Sequence, residues 1–359
     1  MHRFAFLTLA VLFAAGGISQ ADKLVVVAGG GTGGDGSPAL QAKLSEPFAV
    51  GFDKAGNLYI CEMQAGERIR KVDTKGVIST IAGTGKKGYS GDGGPADKAA
   101  INGAHQLLVA PNDDVYIADT WNNCVRKIDA KSGVITTVAG TGKKGFSGDG
   151  GPATKADSGG VFSIDLDAAG KRLYLCDLDN KRIRAVDLES GVITTIAGNG
   201  QKGVPEDGAD AKAAPLVDPR AVAVDPAGNV YILERGGHAL RVVDPAGKIR
   251  TVVGTGKQGA TGDGGDAKMA TLNGPKHLCI DKDGNVLIAD AENNLVRKYL
   301  PKEGKIVRVA GGGKRGSGGL DGPPEKAELA RPHGVYVHPS GVLYITDSYN
   351  NRILKLQKD

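Results

Sequence analysis

The sequence contains few aromatic residues and no block of like charge. Phenylalanine, tryptophan and tyrosine make up 5% of its 359 residues, with a single tryptophan, and residues of both signs are interspersed to give a formal net charge of +5. Proteins that bind single-stranded nucleic acid combine a basic groove with aromatic side chains on which bases stack. The composition therefore excludes nucleic acid as the expected partner.

Long apolar runs are also missing, apart from one near the beginning of the chain. Residues 1–21 have a short basic start, an apolar run over 4–15 and small residues up to Ala21. This run is too short for a permanent membrane helix and is typical of a secretory signal peptide. We expect cleavage between Ala21 and Asp22, a mature chain without a membrane span, and a secreted or periplasmic location.

Cysteine is scarce, and its four positions do not pair up within the repeat described below. Two disulfides are one alternative in an exported protein. Most of these cysteines lie in or at the end of strand-like apolar runs, where a free thiol packs as a small hydrophobic group. We therefore favour free thiols at Cys61, Cys124, Cys176 and Cys279.

A self-similar unit recurs six times along the chain. Stretches such as "QLLVAPNDDVYIAD" and "AVAVDPAGNVYILE" align without long gaps, and the period is about 57 residues. A repeat of this size indicates stacked or radially arranged units. The marker residues of the six units are Tyr59, Tyr116, Tyr174, Tyr231, Leu287 and Tyr344.

Each unit alternates short β-rich runs with turn residues. In the second unit, "HQLLVA", "VYIAD", "CVRKID" and "VITTVAG" predict four strands, and turn residues such as Asp119 and Asn122 are expected to bond their own hairpin. Six such units predict an all-β fold, a six-bladed β-propeller. The last unit ends after its third strand, "RILKLQ", and the early segment "LVVVAGG" has the fourth-strand pattern, so we expect it to complete the last blade. Residues 22–359 then form one domain, expected to be monomeric.

An acidic glycine-rich segment joins the units. "SGDGGPA" occupies residues 90–96 and recurs at 147–153. Glycine permits positive φ angles and aspartate caps turns, which favours a structural turn. A calcium loop is the alternative, although an EF-type loop spreads its oxygen ligands over twelve residues and ends in a glutamate.

All six units resemble the NHL-repeat consensus P-x-G-[VI]-A-V-D-x-x-G-[NL]-[VL]-Y-[VI]-A-D…N-x-R-[IV]-x-K, and the linkers are similar to those of secreted bacterial members and of teneurin propellers. The resemblance covers the mature chain and implies a six-bladed propeller. For function it implies three possibilities: non-catalytic binding of protein or glycan on one face, zinc-dependent cleavage as in peptidyl-hydroxyglycine amidating lyase, or lactonase or strictosidine-synthase-like chemistry at the channel mouth. Fold alone does not choose among them.

One column of the repeat, at the predicted start of the inner strands, is a candidate binding site. It contains Phe48, His105, Phe162, Arg220, Lys276 and His333. "Pro-His-Gly" at 332–334 is similar to the histidine motif of the zinc lyase, which makes His105, His277 and His333 the candidate metal ligands. Catalytic zinc requires three protein ligands. The third ligand would come from the column position that holds Arg220, and a charged arginine repels a metal ion. His277 lies one residue after the column position of its own unit, so its side chain should face the other side of the strand.

The same column supports a different interpretation. Arg220 and Lys276, together with His105 and His333, would form a cationic funnel suited to a carboxylate, a phosphate or an acidic glycan. The alternative is that these side chains fill a solvated pore and bind only water.

Two further residues stand out. Asp165 places a carboxylate in an inner-strand column that otherwise holds small or apolar residues, which makes it a weak catalytic candidate or a locally paired structural group. Trp121 lies on a predicted hairpin turn, where it would anchor a partner or cover its own hairpin. Together these features favour an exported scaffold that binds a protein or carbohydrate partner through one face, without a cofactor. An enzyme at the channel mouth, either a zinc-dependent lyase or a lactonase or strictosidine-synthase-like hydrolase, is the alternative. Zinc at the channel mouth and calcium in the acidic linkers are the candidate metals.

Overall fold

The computed structural model describes residues 22–63 and 66–358, so the predicted signal peptide lies outside the described residues. The described residues form six four-stranded antiparallel sheets joined by loops and short 3-10 helices. The strands are β1 Lys23–Gly29, β2 Pro47–Phe52, β3 Leu58–Glu62, β4 Arg68–Val72, β5 Ile78–Ala82, β6 Gln106–Val109, β7 Val115–Asp119, β8 Cys124–Ile128, β9 Ile135–Ala139, β10 Val161–Leu166, β11 Arg172–Asp177, β12 Arg182–Asp187, β13 Ile193–Ala197, β14 Pro219–Val224, β15 Val230–Glu234, β16 Ala239–Val243, β17 Ile249–Val253, β18 His277–Ile280, β19 Val286–Asp290, β20 Leu295–Leu300, β21 Lys305–Ala310, β22 Gly334–Val337, β23 Leu343–Asp347 and β24 Arg352–Gln357. The 3-10 helices are Ala39–Gln41, Ala96–Lys98, Thr120–Asn122, Ala153–Lys155, Ala267–Met269, Ala291–Asn293, Pro324–Lys326 and Ser348–Asn350.

The six sheets are the blades of a propeller. Blades one to five are β2–β5, β6–β9, β10–β13, β14–β17 and β18–β21, and blade six is β22–β24 with β1 at its outer edge. The first strand of each blade packs beside the first strand of the next, and β22 returns to β2. These six strands therefore surround the central channel, and the predicted six-bladed all-β fold is confirmed.

The N-terminal strand closes the ring as predicted. β1 runs antiparallel to β24, with Leu24 opposite Leu356 and Val26 opposite Leu354. Leu24 is buried in the same apolar cluster as Leu354. Closure through a strand from the other end of the chain removes an open edge that would pair with other molecules.

Tight turns connect the second and third strands of the blades. In blades two, five and six a single 3-10 turn ends at an asparagine in the left-handed conformation, with φ of 51° at Asn123, 54° at Asn294 and 51° at Asn351. Asparagine is enriched in this conformation because its short polar side chain bonds locally. The turns thus fix the ends of neighbouring strands at one face of the propeller.

The hydrophobic core lies between blades. Tyr59 and Cys61 of blade one, for example, share a buried cluster with Leu107 and Ile117 of blade two. Alternate residues of a strand point to opposite faces of the sheet, so each blade contributes to the cluster on either side of it. Burial of one such large side chain stabilises the fold by about 1.5–3 kcal/mol, and none of this burial is available to an isolated blade.

The acidic glycine-rich linkers hold neighbouring blades together. Asp92 accepts hydrogen bonds from the buried Arg126 of β8, at 3.0 Å from Nε and 2.6 Å from Nη2, and from the amide of Thr137 in β9 at 2.9 Å. Ala96 donates to Gly133 of blade two, and its carbonyl accepts from the amide at the end of blade one. The aspartate therefore binds a protein cation, in agreement with the structural role predicted for these loops. The same pairing recurs between Asp149 and Arg184 and between Asp263 and Arg297.

Two other expectations concern cysteines and membrane spans. All four cysteines are free, and three of them are buried, as favoured from the sequence. Within residues 22–63 and 66–358, no helix has the length and apolar character needed to cross a membrane.

Candidate functional site

The six side chains of the candidate column, called here the mouth ring, lie at the start of the inner strands, and five of them are in contact with one another. Phe48 stacks on His333 with ring centroids 4.0 Å apart and meets His105 edge-on at 5.2 Å. His105 contacts Phe162 at 4.6 Å. The period of the repeat therefore identified side chains that are hundreds of residues apart in sequence and adjacent in space.

Arg220 and Lys276 complete the mouth ring. The Arg220 guanidinium lies 4.4 Å above the centre of the Phe162 ring. Burial, followed by the nearby positive charge of Arg220, lowers the pKa of Lys276 to about 8. Burial, followed by the charge of Lys276, holds the pKa of His333 well below its ordinary value. The ring thus combines an aromatic and histidine side with a cationic side.

A carboxylate of the same blade positions each member of the mouth ring. This acid ends the second strand and accepts a hydrogen bond from the amide three residues before the ring residue. The Asn102 amide, for example, donates to Asp119 at 2.8 Å. Asn122 also donates to Asp119, at 2.9 Å, so the expected bond within the hairpin is present beside this longer-range one. The donor and acceptor pairs are Ser45 and Glu62, Asn102 and Asp119, Gly159 and Asp177, Val217 and Glu234, Asn273 and Asp290, and Ala330 and Asp347.

In most blades the backbone just before the ring residue is also held by a hydrogen bond to a side chain of the preceding blade, which is a second anchor. The residue two positions before each ring member has a positive φ, and three of the six are not glycine: Glu46, Asp218 and Arg331. The Arg331 amide donates to Asn294 Oδ1 of blade five at 3.0 Å, and the Glu46 amide donates to Asn351 Oδ1 of blade six at 2.8 Å. Left-handed backbone at such residues costs about 1–3 kcal/mol and is concentrated at functional sites.

The two ring histidines have fixed tautomers. His105 Nδ1 lies 2.7 Å from the carbonyl of Gly103, and His333 Nδ1 lies 2.8 Å from the carbonyl of Arg331. A carbonyl only accepts hydrogen bonds, so Nδ1 carries the proton and Nε2 has the free lone pair. Burial is the largest cause that keeps the pKa of both imidazoles well below the ordinary value, and the charge of Arg220 adds to it.

His277 does not join the two ring histidines. Its Nδ1 accepts a hydrogen bond from the Val335 amide of blade six at 3.5 Å, and burial lowers its pKa to about 4. In the part of the chain that the structure describes, no group of three or more His, Cys, Asp or Glu side chains is placed to hold a metal ion. The set His105, His277 and His333 therefore does not fit a three-ligand zinc centre, and the adjacent Arg220 would disfavour a cation there.

Positive charge exceeds negative charge around Lys276. The charges that act on it are those of Arg220, Arg235 and Arg331 against the single carboxylate of Glu292. Glu292 lies 3.3 Å from the Lys276 ammonium and also pairs with Arg331. Arg220 has no ion-pair partner among the described residues, and its one hydrogen bond is a long contact of 3.4 Å to the Phe162 carbonyl.

Two exposed aromatic side chains flank the mouth ring. Trp121 is 39% exposed and lies 6.0 Å from His105, and Tyr349 is 36% exposed and lies 5.7 Å from His333. Lys87 lies over the Trp121 ring at 5.3 Å. Trp121 is thus placed on the hairpin beside the ring, and it contacts the ring instead of covering only its own turn.

Sequence profiles of known families match this chain. The NHL repeat profile matches residues 272–299 and 329–356, and the teneurin NHL domain profile matches residues 27–88 and 192–261. The six four-stranded blades have the architecture that these repeats form. The chain belongs to the NHL-repeat family of β-propellers. The matched segments lie in five of the six blades of this NHL propeller, and they include four members of the mouth ring, Phe48, Arg220, Lys276 and His333.

Individual relatives agree with the family assignment. The NHL propeller is 25% identical over 332 residues to SUPPRESSOR OF QUENCHING 1 of Arabidopsis thaliana, covering 89% of this chain and 31% of the relative. It is 24% identical to NHL repeat-containing protein 2 of Gallus gallus, covering 86% of this chain and 46% of the relative. The chain therefore spans less than half the length of these relatives.

Solved structures share the fold at low sequence identity. An auxiliary nutrient binding protein from Bacteroides thetaiotaomicron superposes with a TM-score of 0.68 at 16% identity, covering 94% of this chain and 76% of the other. A streptogramin B lyase superposes with a TM-score of 0.54 at 14% identity, covering 94% of this chain and 98% of the lyase. These likenesses concern the propeller architecture and not the side chains of the mouth ring.

Asp165 lies further along the channel wall of the NHL propeller. Its Oδ2 accepts a hydrogen bond from the Val224 amide of blade four at 2.8 Å, and burial raises its pKa to about 7. Ser163, on the same strand, makes the equivalent bond to the Val222 amide at 3.1 Å. Asp165 therefore links two inner strands, which agrees with the structural alternative given for it.

Three residues of the site were missed from the sequence: Glu292, Arg331 and Tyr349. Glu292 and Tyr349 occupy the repeat position of Trp121, two residues after the acid that ends the second strand, so the same alignment contains the signal for them. Arg331 occupies the left-handed position two residues before a ring member. The sequence signal for Arg331 is weaker, because the other two non-glycine residues at this repeat position, Glu46 and Asp218, are acids.

Proposed function

We propose that this NHL propeller is an exported binding module that holds a carbohydrate or protein partner over the mouth ring. The observation that carries the proposal is the pair of exposed aromatic side chains, Trp121 and Tyr349, which flank a ring containing buried and incompletely paired cations. Exposed aromatic residues and arginines are the side chains that most often anchor binding interfaces. The acid that holds the backbone before each ring residue, together with the second anchor in most blades, keeps this surface rigid, and a preformed surface binds with a smaller entropic loss.

The chemistry of the face favours a carbohydrate. Trp121 and Tyr349 present flat apolar surfaces with a polar edge, and the cations Lys87, Arg315 and Arg331 lie against their rings. A sugar ring offers C–H groups to such a surface and hydroxyl groups to the polar side chains around it. The fold is also that of a protein described as nutrient binding.

The test is a glycan array probed with the protein that lacks residues 1–21. We expect retained glycans whose binding falls at least fivefold in Trp121→Ala and in Tyr349→Ala. Tyr89→Ala is the matched control, because Tyr89 is also exposed but bonds to Thr137 on an outer strand. Unchanged binding in both site variants, or an equal loss in the control, would show that the mouth face is not the binding surface.

A lyase or hydrolase at the channel mouth is the second candidate. The observation in its favour is that Nε2 of both His105 and His333 has a free lone pair, which can accept a hydrogen bond or a proton from a substrate. The described histidines do not form a three-ligand zinc centre, so metal analysis of the purified protein is a direct test against the zinc version. Stoichiometric zinc that is lost in His105→Ala would favour the enzyme, and metal-free protein that still binds glycans would favour the binding module.

Export is part of the proposal and rests on residues 1–21. N-terminal sequencing of protein recovered from the periplasm or medium of a bacterial host should begin at Asp22. An intact N-terminus in the cytoplasmic fraction would contradict export.

A further inference from the structure

We propose that Arg220 and Lys276 form a carboxylate subsite of the mouth ring, so that the ligand is a carbohydrate carrying a uronic acid. This inference rests on the proposed function and names the substrate class of the same site. It depends on three observations: an arginine without an acidic partner among the described residues, an excess of cations over carboxylates around Lys276, and aromatic side chains beside the mouth ring.

Arg220 is prepared to bind an anion. The side chain is 5% exposed and points among ring members, where its charge affects the pKa of His105 in blade two and of His333 in blade six. Blades two and six lie on opposite sides of blade one, so the guanidinium that acts on both lies near the propeller axis. Five N–H groups are available on a guanidinium, and only Nη1 makes a hydrogen bond to a described residue.

The neighbouring aromatic ring orients this guanidinium. Phe162 covers one face of the Arg220 group at 4.4 Å, which leaves the N–H edges as the directions in which it can bind. A planar guanidinium edge matches the two oxygens of a carboxylate in a bidentate pair. A buried arginine without any acidic partner is unfavourable in the free protein, and a bound carboxylate would remove that cost.

The charge balance favours an anion. The cations Arg220, Lys276 and Arg331 face the single carboxylate of Glu292, which lies 3.3 Å from the Lys276 ammonium and is shared with Arg331. Arg220 has no such partner within the described residues, so the subsite has an excess of positive charge that a bound carboxylate would reduce.

The aromatic side of the site accounts for the sugar. His105 and His333 connect the mouth ring to Trp121 and Tyr349, so an apolar surface extends outward from the cationic pair. A uronic acid residue presents its carboxylate at one edge and its C–H groups on a face. An oligomer of uronic acid can therefore place one carboxylate on Arg220 while a neighbouring sugar ring stacks on an exposed aromatic ring.

Trp121 is the only tryptophan in the chain and provides the readout. The probes are tetragalacturonic acid, its methyl ester and inorganic sulfate, each titrated against the protein lacking residues 1–21 while tryptophan fluorescence is recorded. We expect saturable binding of the acid and at least tenfold weaker binding of the ester. Arg220→Gln and Lys276→Gln should each weaken binding of the acid at least tenfold and leave binding of the ester unchanged.

Arg250→Gln is the charge-matched control, because Arg250 is exposed on the outer strand β17 and is remote from the mouth ring. Thermal unfolding confirms that each variant is folded, and Lys276→Gln keeps the test valid if Arg220→Gln does not fold. Equal binding of acid and ester would overturn the carboxylate subsite while the binding module stands. Sulfate that binds as tightly as the acid would show a general anion site and overturn the uronic acid assignment, and absence of binding to all three probes would overturn it as well.

Discussion

The carboxyl group of Asp165 gives a stability prediction whose sign is fixed by the structure. This group lies inside the channel wall and accepts the Val224 amide, and its pKa is raised to about 7 by burial, with the nearby Asp167 adding to the effect. In the unfolded chain the carboxyl has its ordinary value of 3.8. The folded protein therefore binds the proton more tightly than the unfolded chain, and stability falls as pH rises between these two values.

The expected magnitude follows from the same two numbers. One pKa unit corresponds to about 1.4 kcal/mol, so the full difference is at most about 4 kcal/mol. Because the side chain is only partly buried, we expect about half of this. Asp165→Asn retains the carbonyl oxygen that accepts the Val224 amide and removes the ionisation. The variant should be about as stable as the parent near pH 4 and more stable by about 2 kcal/mol at pH 8.

Urea unfolding followed by tryptophan fluorescence at pH 4, 5, 6, 7 and 8 measures this difference. Asp53→Asn is a control of opposite sign. Burial opposes ionisation of Asp53, but hydrogen bonds from Asn57 and Tyr59 and the charge of Lys71 outweigh it and lower the pKa. That variant should be less stable than the parent at every pH of this series, and an additional measurement below the lowered pKa of Asp53 should show the difference disappear. A stability gap for Asp165→Asn that does not grow with pH would refute the argument.

Three shorter predictions concern the scaffold. Asp92→Ala removes the carboxylate that binds the buried Arg126 and should lower the free energy of unfolding by about 3 kcal/mol. Asp321→Ala changes the same linker position where no partner is described, and it should alter the free energy of unfolding by less than about 0.5 kcal/mol. Equal effects of the two variants in urea unfolding would contradict a stabilising role of the Asp92–Arg126 pair. Deletion of residues 22–29 removes β1 and should lower the melting temperature by more than 10 °C or abolish folding, because β24 loses its partner; an unaltered melting curve would show that the ring does not depend on this strand. The three buried cysteines, Cys61, Cys124 and Cys176, should react with a thiol reagent only after unfolding, since burial raises the pKa of each thiol. Rapid labelling of more than one thiol in the native protein would contradict their burial.

The repeat period explains why so much of the architecture could be predicted. Strands, turns and closure follow from local patterns that recur about every 57 residues, and the mouth ring is one column of that alignment. The contacts that hold the ring could not be predicted, because they cross between blades. Asp119 looks like a turn residue in sequence, yet one of its oxygens accepts the Asn102 amide 17 residues earlier. No local pattern in the sequence indicates that a carboxylate at the end of a strand will bond the backbone before a ring residue as well as its own hairpin.

The charge around Lys276 could not be predicted from the sequence either. The repeat alignment predicts two cations in this column and therefore a cationic funnel. Only the structure shows that Glu292 partly neutralises Lys276, while Arg220 remains without an acid among the described residues. This difference depends on Glu292, a turn residue of blade five that pairs with Lys276 just before the first strand of the same blade.

The separation between anchors that recur in all six blades and ring residues that vary supports the proposal that the mouth ring is a binding site. All six blades hold the amide three residues before the ring member with an acid in the same way, and all six place a left-handed residue two positions before it. Packing alone would be satisfied by one apolar residue repeated six times at the ring position. The column instead contains two phenylalanines, two histidines, an arginine and a lysine, and it keeps the two cations buried despite the unfavourable desolvation. A repeat that conserves its geometry and varies its chemistry at one position is what a rigid binding site with specific side chains requires.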